Sequence, residues 1–167
     1  PKGNYPDMKR KSLICALILA AVSMATWSFA ADDPAVNEKT ALAAAEGWLK
    51  LIDGGKFDTS WQEAAGFMKG KVTRQQWVQM MEMNRKPLGA ASSRTKASTW
   101  FKTTIPGAPE GEYYIFQFES VLSDKKTYME TVTPMKEKDG KWRITGYFIK
   151  PKDENKDKVT TPSVPFR

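Results

Sequence analysis

Histidine is absent from this 167-residue sequence, and cysteine occurs only once, as Cys15. These absences exclude an imidazole base, leave no cysteine pair for a disulfide and remove the usual ligands of zinc. Acid–base catalysis would therefore have to use carboxylates, lysine or tyrosine. We expect no cofactor and no metal, and we favour a protein without enzymatic activity.

Long apolar runs are absent after residue 30, but one run extends from Ser12 to Ala30 and reads SLICALILAAVSMATWSFA. It follows Met8 and three consecutive basic residues. This order is typical of a secretory signal peptide. Because Ser28 and Ala30 place small residues at the positions that a signal peptidase reads, we expect cleavage between Ala30 and Ala31.

This interpretation divides the N-terminal part into upstream non-native residues 1–7 and a signal peptide at residues 8–30. It predicts a periplasmic or secreted protein that loses Cys15 with the signal peptide and keeps no stable membrane anchor. The alternative is an uncleaved anchor, since about 19 apolar residues can just cross a bilayer. Basic residues alternate with acidic ones and form no stripe with aromatic residues, so we expect no nucleic-acid partner.

The sequence predicts three helices after the cleavage site. The first begins at Asp33-Pro34 and ends at Gly54-Gly55, and the second begins near Asp58 and runs through the stretch DTSWQEAAGFM. The third has a capping box, a hydrophobic staple and a closing proline. The residues that carry these predictions are Leu42, Ala45, Leu49 and Ile52 on one face of the first helix, Thr73 with Gln76 in the box, Val72 with Trp77 in the staple, and Pro87.

After Gly89 the apolar period changes from 3.6 to 2, and residues 92–150 predict four strands separated by the turns PGAPEG, SDKK and KDGK. The order of elements predicts an α+β fold, with N-terminal helices packed on a curved four-stranded antiparallel sheet in a single domain over residues 31–150. Residues 151–167 have alternating charge and three prolines, which favours a polar, disordered tail.

The strand pattern also predicts apolar side chains on both faces of the sheet. One face meets the helices, and the other would be an exposed apolar patch of the kind that marks an interface. We therefore expect a homodimer. The interpretation places Tyr113, Ile115, Tyr147 and Ile149 on the face opposite to Phe116 and Phe148.

Several separated stretches resemble one known family. They are GWLKLIDGGKFDTSW, LGAASSRT and the strand segments EGEYYIFQFES, KKTYMETVTPMKE and GKWRITGYFIK. Together they cover about residues 38–150 and resemble the exported bacterial family known as domain of unknown function 4019. The resemblance implies a cone-like, cystatin-like fold similar to nuclear transport factor 2. It implies no activity, because that fold also occurs in dehydratases, isomerases, cyclases and binding modules.

Glu130 is the best candidate for a carboxylate in a pocket, because it lies between Tyr128 and Val132 on the third predicted strand. The competing interpretation is a structural ion pair with Arg94 or Arg143, and we favour it. The candidate site, a pocket or a buried ion pair, comprises Arg94, Tyr114, Tyr128 and Glu130. Glu119 is a weaker candidate that is expected to face solvent.

Two further groups of residues admit a ligand-binding interpretation. Met80, Met81 and Met83 could bind Cu(I) through soft thioethers, and the five tryptophans of the predicted domain could stack on a sugar. We favour core packing for both groups, since three of the tryptophans lie on apolar helical faces.

Three functions are compatible with the sequence. The favoured one is an exported, non-catalytic module that binds an unknown small ligand or an envelope protein. The first alternative is a histidine-free lyase or isomerase that uses a pocket carboxylate and a tyrosine. The second alternative is a structural protein associated with the cell envelope.

Overall fold

The first helix, α1, spans Pro34–Asp53 in a computed structural model that describes residues 34–152. The predicted signal peptide and its cleavage site lie outside the described residues, as does the predicted tail beyond Lys152. Pro34 suits the first turn of a helix, because its fixed φ is already helical and its missing N–H would have no partner there. The helix ends where Gly54 N donates to Lys50 O at 3.0 Å and Gly55 adopts a φ of +66°.

The buried face of α1 follows helical spacing. Of the four residues predicted for this face, Ala45, Leu49 and Ile52 are buried and Leu42 is half-buried. Trp48 is also buried, and its indole N–H donates to Ser60 O at 2.8 Å. The helix therefore packs through a continuous apolar stripe, as the sequence predicted.

The predicted second helix is in fact two short helices, α2 at Phe57–Gln62 and α3 at Gly66–Lys71. The helical conformation is interrupted at Ala65, which has an extended backbone and is fully buried. Its N–H donates to Ile144 O in the sheet at 2.8 Å. The prediction of one helix was wrong because this tertiary hydrogen bond replaces a helical one.

Helix α4 spans Arg74–Asn84, and a 3₁₀ turn follows at Lys86–Leu88. The predicted capping box is present: the Thr73 hydroxyl accepts from Gln76 N, and the Gln76 side chain accepts from Thr73 N. Such caps stabilise helices by about 1 kcal/mol. The helix stops before Pro87, as predicted.

Four strands follow, in the antiparallel order β1-β2-β3-β4. Their bounds are Ala91–Lys102, Tyr113–Leu122, Thr127–Lys136 and Trp142–Pro151. Each lies within two residues of its predicted bounds, and β4 includes Pro151, which was predicted to begin the tail. The predicted fold class, α+β with helices packed on an antiparallel sheet, is confirmed.

The inner face of the sheet is the one that meets the helices, and the outer face is the opposite one. Helix α1 packs chiefly against β2, β3 and β4. The inner face supplies a largely aromatic core. Its buried members include Tyr114, Phe116, Phe118, Val132, Trp142 and Ile144.

An irregularity in β4 reverses part of the predicted face assignment. Pro134 pairs with Ile144 and Thr133 pairs with Gly146, so Thr145 is an extra residue in β4. A bulge of this kind shifts the alternation of side chains by one. Tyr147 and Ile149 therefore lie on the inner face, and their predicted place on the same face as Tyr113 and Ile115 was wrong.

Core packing explains only part of the aromatic and methionine pattern. Trp48, Trp77 and Trp142 are buried and Trp61 is half-buried, but Trp100 is 42% exposed on the outer face. Met81 is buried, whereas Met80 and Met83 are 41% and 62% exposed. The core interpretation was therefore wrong for Trp100, Met80 and Met83.

Candidate functional site

Glu130 lies on the inner face of β3 and is completely buried. Its Oε2 atom accepts hydrogen bonds from Arg94 Nε at 2.8 Å and Ser120 Oγ at 2.6 Å. Its Oε1 atom accepts from the hydroxyl of Tyr147 at 2.6 Å. The structure thus brings together Arg94 and Glu130, the two charged residues of the predicted site. Hydrogen bonds to both oxygens hold the Glu130 carboxylate in place.

Arg94 also binds a second carboxylate, that of Asp53 at the end of α1. Its two terminal nitrogens lie 2.8 Å from Asp53 Oδ2 and 3.0 Å from Asp53 Oδ1. This fork-to-fork geometry is the strongest arrangement of an arginine and a carboxylate. Burial lowers the pKa of the Arg94 guanidinium, but the hydrogen bonds and charges of Asp53 and Glu130 outweigh burial and raise that pKa above its ordinary value.

Arg85, which directly follows α4, completes the site and is only 2% exposed. It donates from Nη2 to Asp53 Oδ1 at 2.8 Å, from Nε to the Tyr147 hydroxyl at 3.1 Å and from Nη1 to the carbonyl of Gly89. Its Nε also lies 3.8 Å from Glu130 Oε1. A buried guanidinium needs such partners, because an unpaired charge in the interior is very costly.

Asp53, Arg85, Arg94 and Glu130 form what we call the buried ion cluster. It contains two positive and two negative side chains, and it joins α1, the end of α4, β1 and β3. Every oxygen of both carboxylates accepts at least one hydrogen bond from a protein donor. A carboxylate held in this way offers no free oxygen to a substrate proton.

Tyr147 is the hydroxyl member of the site and extends the buried ion cluster toward the aromatic core. Burial, followed by the negative charge of Glu130, raises the pKa of its phenol well above the ordinary value. The phenol therefore remains a neutral hydrogen-bond donor. Its ring packs against Trp48 with a centroid distance of 5.5 Å.

The two predicted tyrosines have other partners. Tyr128 donates to Asp124 Oδ2 at 2.7 Å in the turn between β2 and β3. Tyr114 donates to Pro34 O at 3.0 Å. Neither tyrosine hydroxyl is hydrogen-bonded to Glu130, so the predicted set of four residues does not form one site.

Arg143, the alternative partner for Glu130, instead binds Asp139 and Glu137.

Sequence reasoning missed Asp53, Arg85 and Tyr147. A signal for the first two exists in helical spacing, because Arg85 continues the buried positions Trp77 and Met81 of α4 at intervals of four residues. Asp53 follows Ala45 and Leu49 of α1 in the same way. A charged residue that extends an apolar stripe predicts a buried ion pair.

A separate hollow, the α1–β1 groove, opens between the start of α1 and the end of β1 and has a volume of about 750 Å³. Its lining is partly aromatic and partly acidic. Phe101 is 49% exposed, and its ring lies 5.2 Å from that of Tyr114, centroid to centroid. The other lining residues are Pro34, Ala35, Asn37, Glu38, Thr99 and Glu112.

Two carboxylates give the α1–β1 groove its charge. Glu38 lies 3.0 Å from the ammonium of Lys96, and Glu112 lies 3.6 Å from that of Lys136. The lysines stand outside the lining, while both carboxylates are part of it. Burial raises the pKa of Tyr114, the charges of Glu38 and Glu112 raise it further, and Lys136 opposes them.

The family model described as "Protein of unknown function (DUF4019)" matches residues 44–147. The chain belongs to this family. The matched range includes all members of the buried ion cluster, and it begins after the α1 residues that line the α1–β1 groove. No curated protein and no solved structure matches the chain.

Two negative findings apply to residues 34–152. Within this range, no group of three or more aspartate, glutamate, histidine or cysteine side chains is arranged to hold a metal ion. None of the helices described there is long and apolar enough to cross a membrane.

Proposed function

We propose that this protein is an exported, non-catalytic binding module with a nuclear transport factor 2-like fold, and that its ligand occupies the α1–β1 groove. One contrast carries the proposal: the carboxylate that the sequence offered for catalysis is fully buried and hydrogen-bonded to protein donors on both oxygens, whereas the groove is open and has an exposed aromatic ring. Export is supported by the basic start, the apolar run and the small residues before Ala31.

The chemistry of the α1–β1 groove favours a small ligand that has an apolar ring and a cationic group. Phe101 and Tyr114 provide aromatic surface for the ring, and apolar lining with a few polar groups is typical of small-molecule sites. A cationic group would compete with Lys96 and Lys136 for the Glu38 and Glu112 carboxylates of the lining, and aromatic faces add to its attraction.

The arrangement of Glu130 argues against the lyase or isomerase alternative. A general base must reach the proton that it removes, within hydrogen-bonding distance or through one water molecule. Both Glu130 oxygens are occupied, and the residue has no exposed surface. A substrate would have to break the buried ion cluster before it could use this carboxylate.

Ligand-observed NMR with two small probes tests the proposal. Phenethylamine has a ring and an ammonium group, while phenylpropionate has a ring and a carboxylate. We expect saturation transfer to phenethylamine that is stronger than to phenylpropionate and that is lost in Phe101→Ala. Phe148→Ala is the matched control, because Phe148 is an exposed aromatic residue on the outer face.

Retained binding in Phe148→Ala together with loss in Phe101→Ala would support the groove as the site. Equal transfer to both probes, or binding that survives Phe101→Ala, would contradict it. A steady turnover of either probe would contradict the non-catalytic assignment.

A further inference from the structure

The segment Ser98–Lys102 of β1 lies at one edge of the sheet. It pairs regularly with β2 on one side, and the irregularities of β1 fall before Ser98. Among residues 34–152, no backbone hydrogen bond joins the other side of this segment to another element. Because α1 packs chiefly on β2, β3 and β4, the helices leave this edge accessible.

Two successive aromatic residues are exposed on this segment, one on each face of the sheet. Phe101 pairs with Tyr114 and lies on the inner face, while Trp100 pairs with Ile115 and lies on the outer face. They are 49% and 42% exposed. An unpaired edge with apolar side chains on both faces is a template for another strand.

The opposite edge, β4, has features that hinder such pairing. It contains the extra residue Thr145, and it ends in Lys150 and Pro151. Bulges, lysine and proline are the devices by which sheets protect an edge. Between Ser98 and Lys102, β1 has no bulge and no proline, and its only lysine is the last residue.

We propose that β1 pairs antiparallel with β1 of a second copy of this chain, centred on Trp100, so that two four-stranded sheets join into one. Identical strands related by a two-fold axis are self-complementary, because residue i of one copy faces residue j of the other and j faces i. A second copy therefore presents the same unpaired segment in the orientation that antiparallel pairing requires.

A pairing register centred on Trp100 places compatible side chains opposite each other on both faces of the joined sheet. In this register Trp100 faces Trp100 of the second copy. Thr99 faces Phe101 of the second copy, and Ser98 faces its Lys102. Aromatic and β-branched cross-strand pairs are among those that stabilise antiparallel strands. This register also keeps Lys102 away from the Lys102 of the second copy, since like charges directly opposite destabilise a pair.

The difference between the two edges makes the assembly a closed dimer. Once β1 is paired, only the protected β4 edges remain at the ends of the joined sheet. A sheet with two unprotected edges would continue to grow, whereas one unprotected edge is consumed in a single pairing. The dimer does not depend on the ligand proposed for the α1–β1 groove.

Sedimentation velocity on the protein isolated from cells that express the full chain tests this proposal. We compare the parent with Trp100→Lys and with the matched control Phe148→Lys, which places the same charge on the outer face of the β4 edge. We expect dimers for the parent and for Phe148→Lys, and a monomer for Trp100→Lys. Circular dichroism shows whether each variant is folded.

A monomeric parent would overturn the proposal, and so would a Trp100→Lys protein that remains dimeric. A folded Phe148→Lys protein that becomes monomeric would assign the interface to the outer face of the sheet and would also overturn edge pairing. A second measurement does not depend on the lysine variants: in a Cys15→Ser background, Trp100→Cys should form an intermolecular disulfide on mild oxidation, and Phe148→Cys should not. The reverse result would contradict the proposed register.

Discussion

The Nε atom of Arg94 on β1 donates a 2.8 Å hydrogen bond to Oε2 of Glu130 on β3, across the intervening strand β2. Ser120 of β2 lies between them and donates to the same oxygen at 2.6 Å. Through Asp53 the same guanidinium also reaches the end of α1. One arginine thus joins the edge strand β1, the inner strand β3 and α1, the longest helix among residues 34–152.

Removing either partner of this pair should destabilise the fold. Breaking a buried pair leaves one charge uncompensated and costs about 3 to 5 kcal/mol. We expect Glu130→Gln and Arg94→Met each to lower the free energy of unfolding by about that amount. The double variant should lose less than the sum, because the two residues share one interaction. Urea denaturation at neutral pH measures all three values.

Glu119→Gln provides the matched control for this experiment, because Glu119 pairs with Lys152 at the surface at 2.9 Å. Exposed pairs contribute about 0 to 1 kcal/mol, so this variant should unfold close to the parent. A Glu130→Gln protein at least as stable as the parent would disprove the structural role of the pair and favour a catalytic carboxylate.

Tyr147→Phe should change how stability depends on pH. The pKa of Tyr147 is raised in the folded protein, so this phenol keeps its proton at a pH where the unfolded chain, with its ordinary pKa of 10.0, loses it. Its contribution is therefore fully present below pH 10 and declines as pH rises above 10. Thermal melts across this range should fall more steeply for the parent than for Tyr147→Phe.

At neutral pH, Tyr147→Phe should also cost about 1.5 to 3 kcal/mol, because Glu130 Oε1 loses its 2.6 Å hydrogen bond. Parallel melting curves for the two proteins above pH 10 would show that this phenol is not the group that titrates.

Gly89→Ala should destabilise the protein more than Gly55→Ala. Both glycines have a left-handed backbone, with φ of +72° and +66°. A Cβ at Gly89 would lie 2.5 Å from Cβ of Ser123, whereas one at Gly55 would meet no atom within 4 Å. We expect a loss of about 1 kcal/mol for Gly55→Ala and of at least about 3 kcal/mol for Gly89→Ala.

Differential scanning calorimetry of the two glycine variants provides the comparison. Equal losses would mean that the backbone at residue 89 relaxes away from Ser123.

Export should be visible at the N-terminus of the isolated protein. We expect the chain to begin at Ala31, because the basic start, the apolar run and the small residues at Ser28 and Ala30 are the features that a signal peptidase reads. Mass spectrometry of protein from the cell envelope measures this terminus. A chain that begins at Met8, or one found in the cytosol, would show that the segment is not a cleaved signal peptide.

The strands and their order could be predicted from the sequence because the forces that define them are local. Alternating side chains, the Asp139-Gly140 turn and the capping box at Thr73 each act within a few residues, and all three are present in the structure. Glu130 could also be assigned to the inner face, since alternation places it with Tyr128 and Val132, but the sequence left its partner open between Arg94 and Arg143.

Tertiary contacts decided the remainder. The hydrogen bond from Ala65 to Ile144 divides one predicted helix into two. No sequence pattern near Ala65 indicates a hydrogen-bond partner 79 residues away. The extra residue Thr145 turns Tyr147 toward Glu130, since a bulge is defined by the neighbouring strand and not by the residues within it.

The amino-acid sequence by itself determined where the four strands and the helices α1 and α4 lie, because hydrophobic period, caps and turns act along the chain. Only the tertiary structure decided that Asp53, Arg85, Arg94 and Glu130 share one buried site. Their positions span four elements, and charges are buried together only where packing brings opposite signs within hydrogen-bonding distance. That distance is set by how the helices lie on the sheet, which is a property of the whole fold.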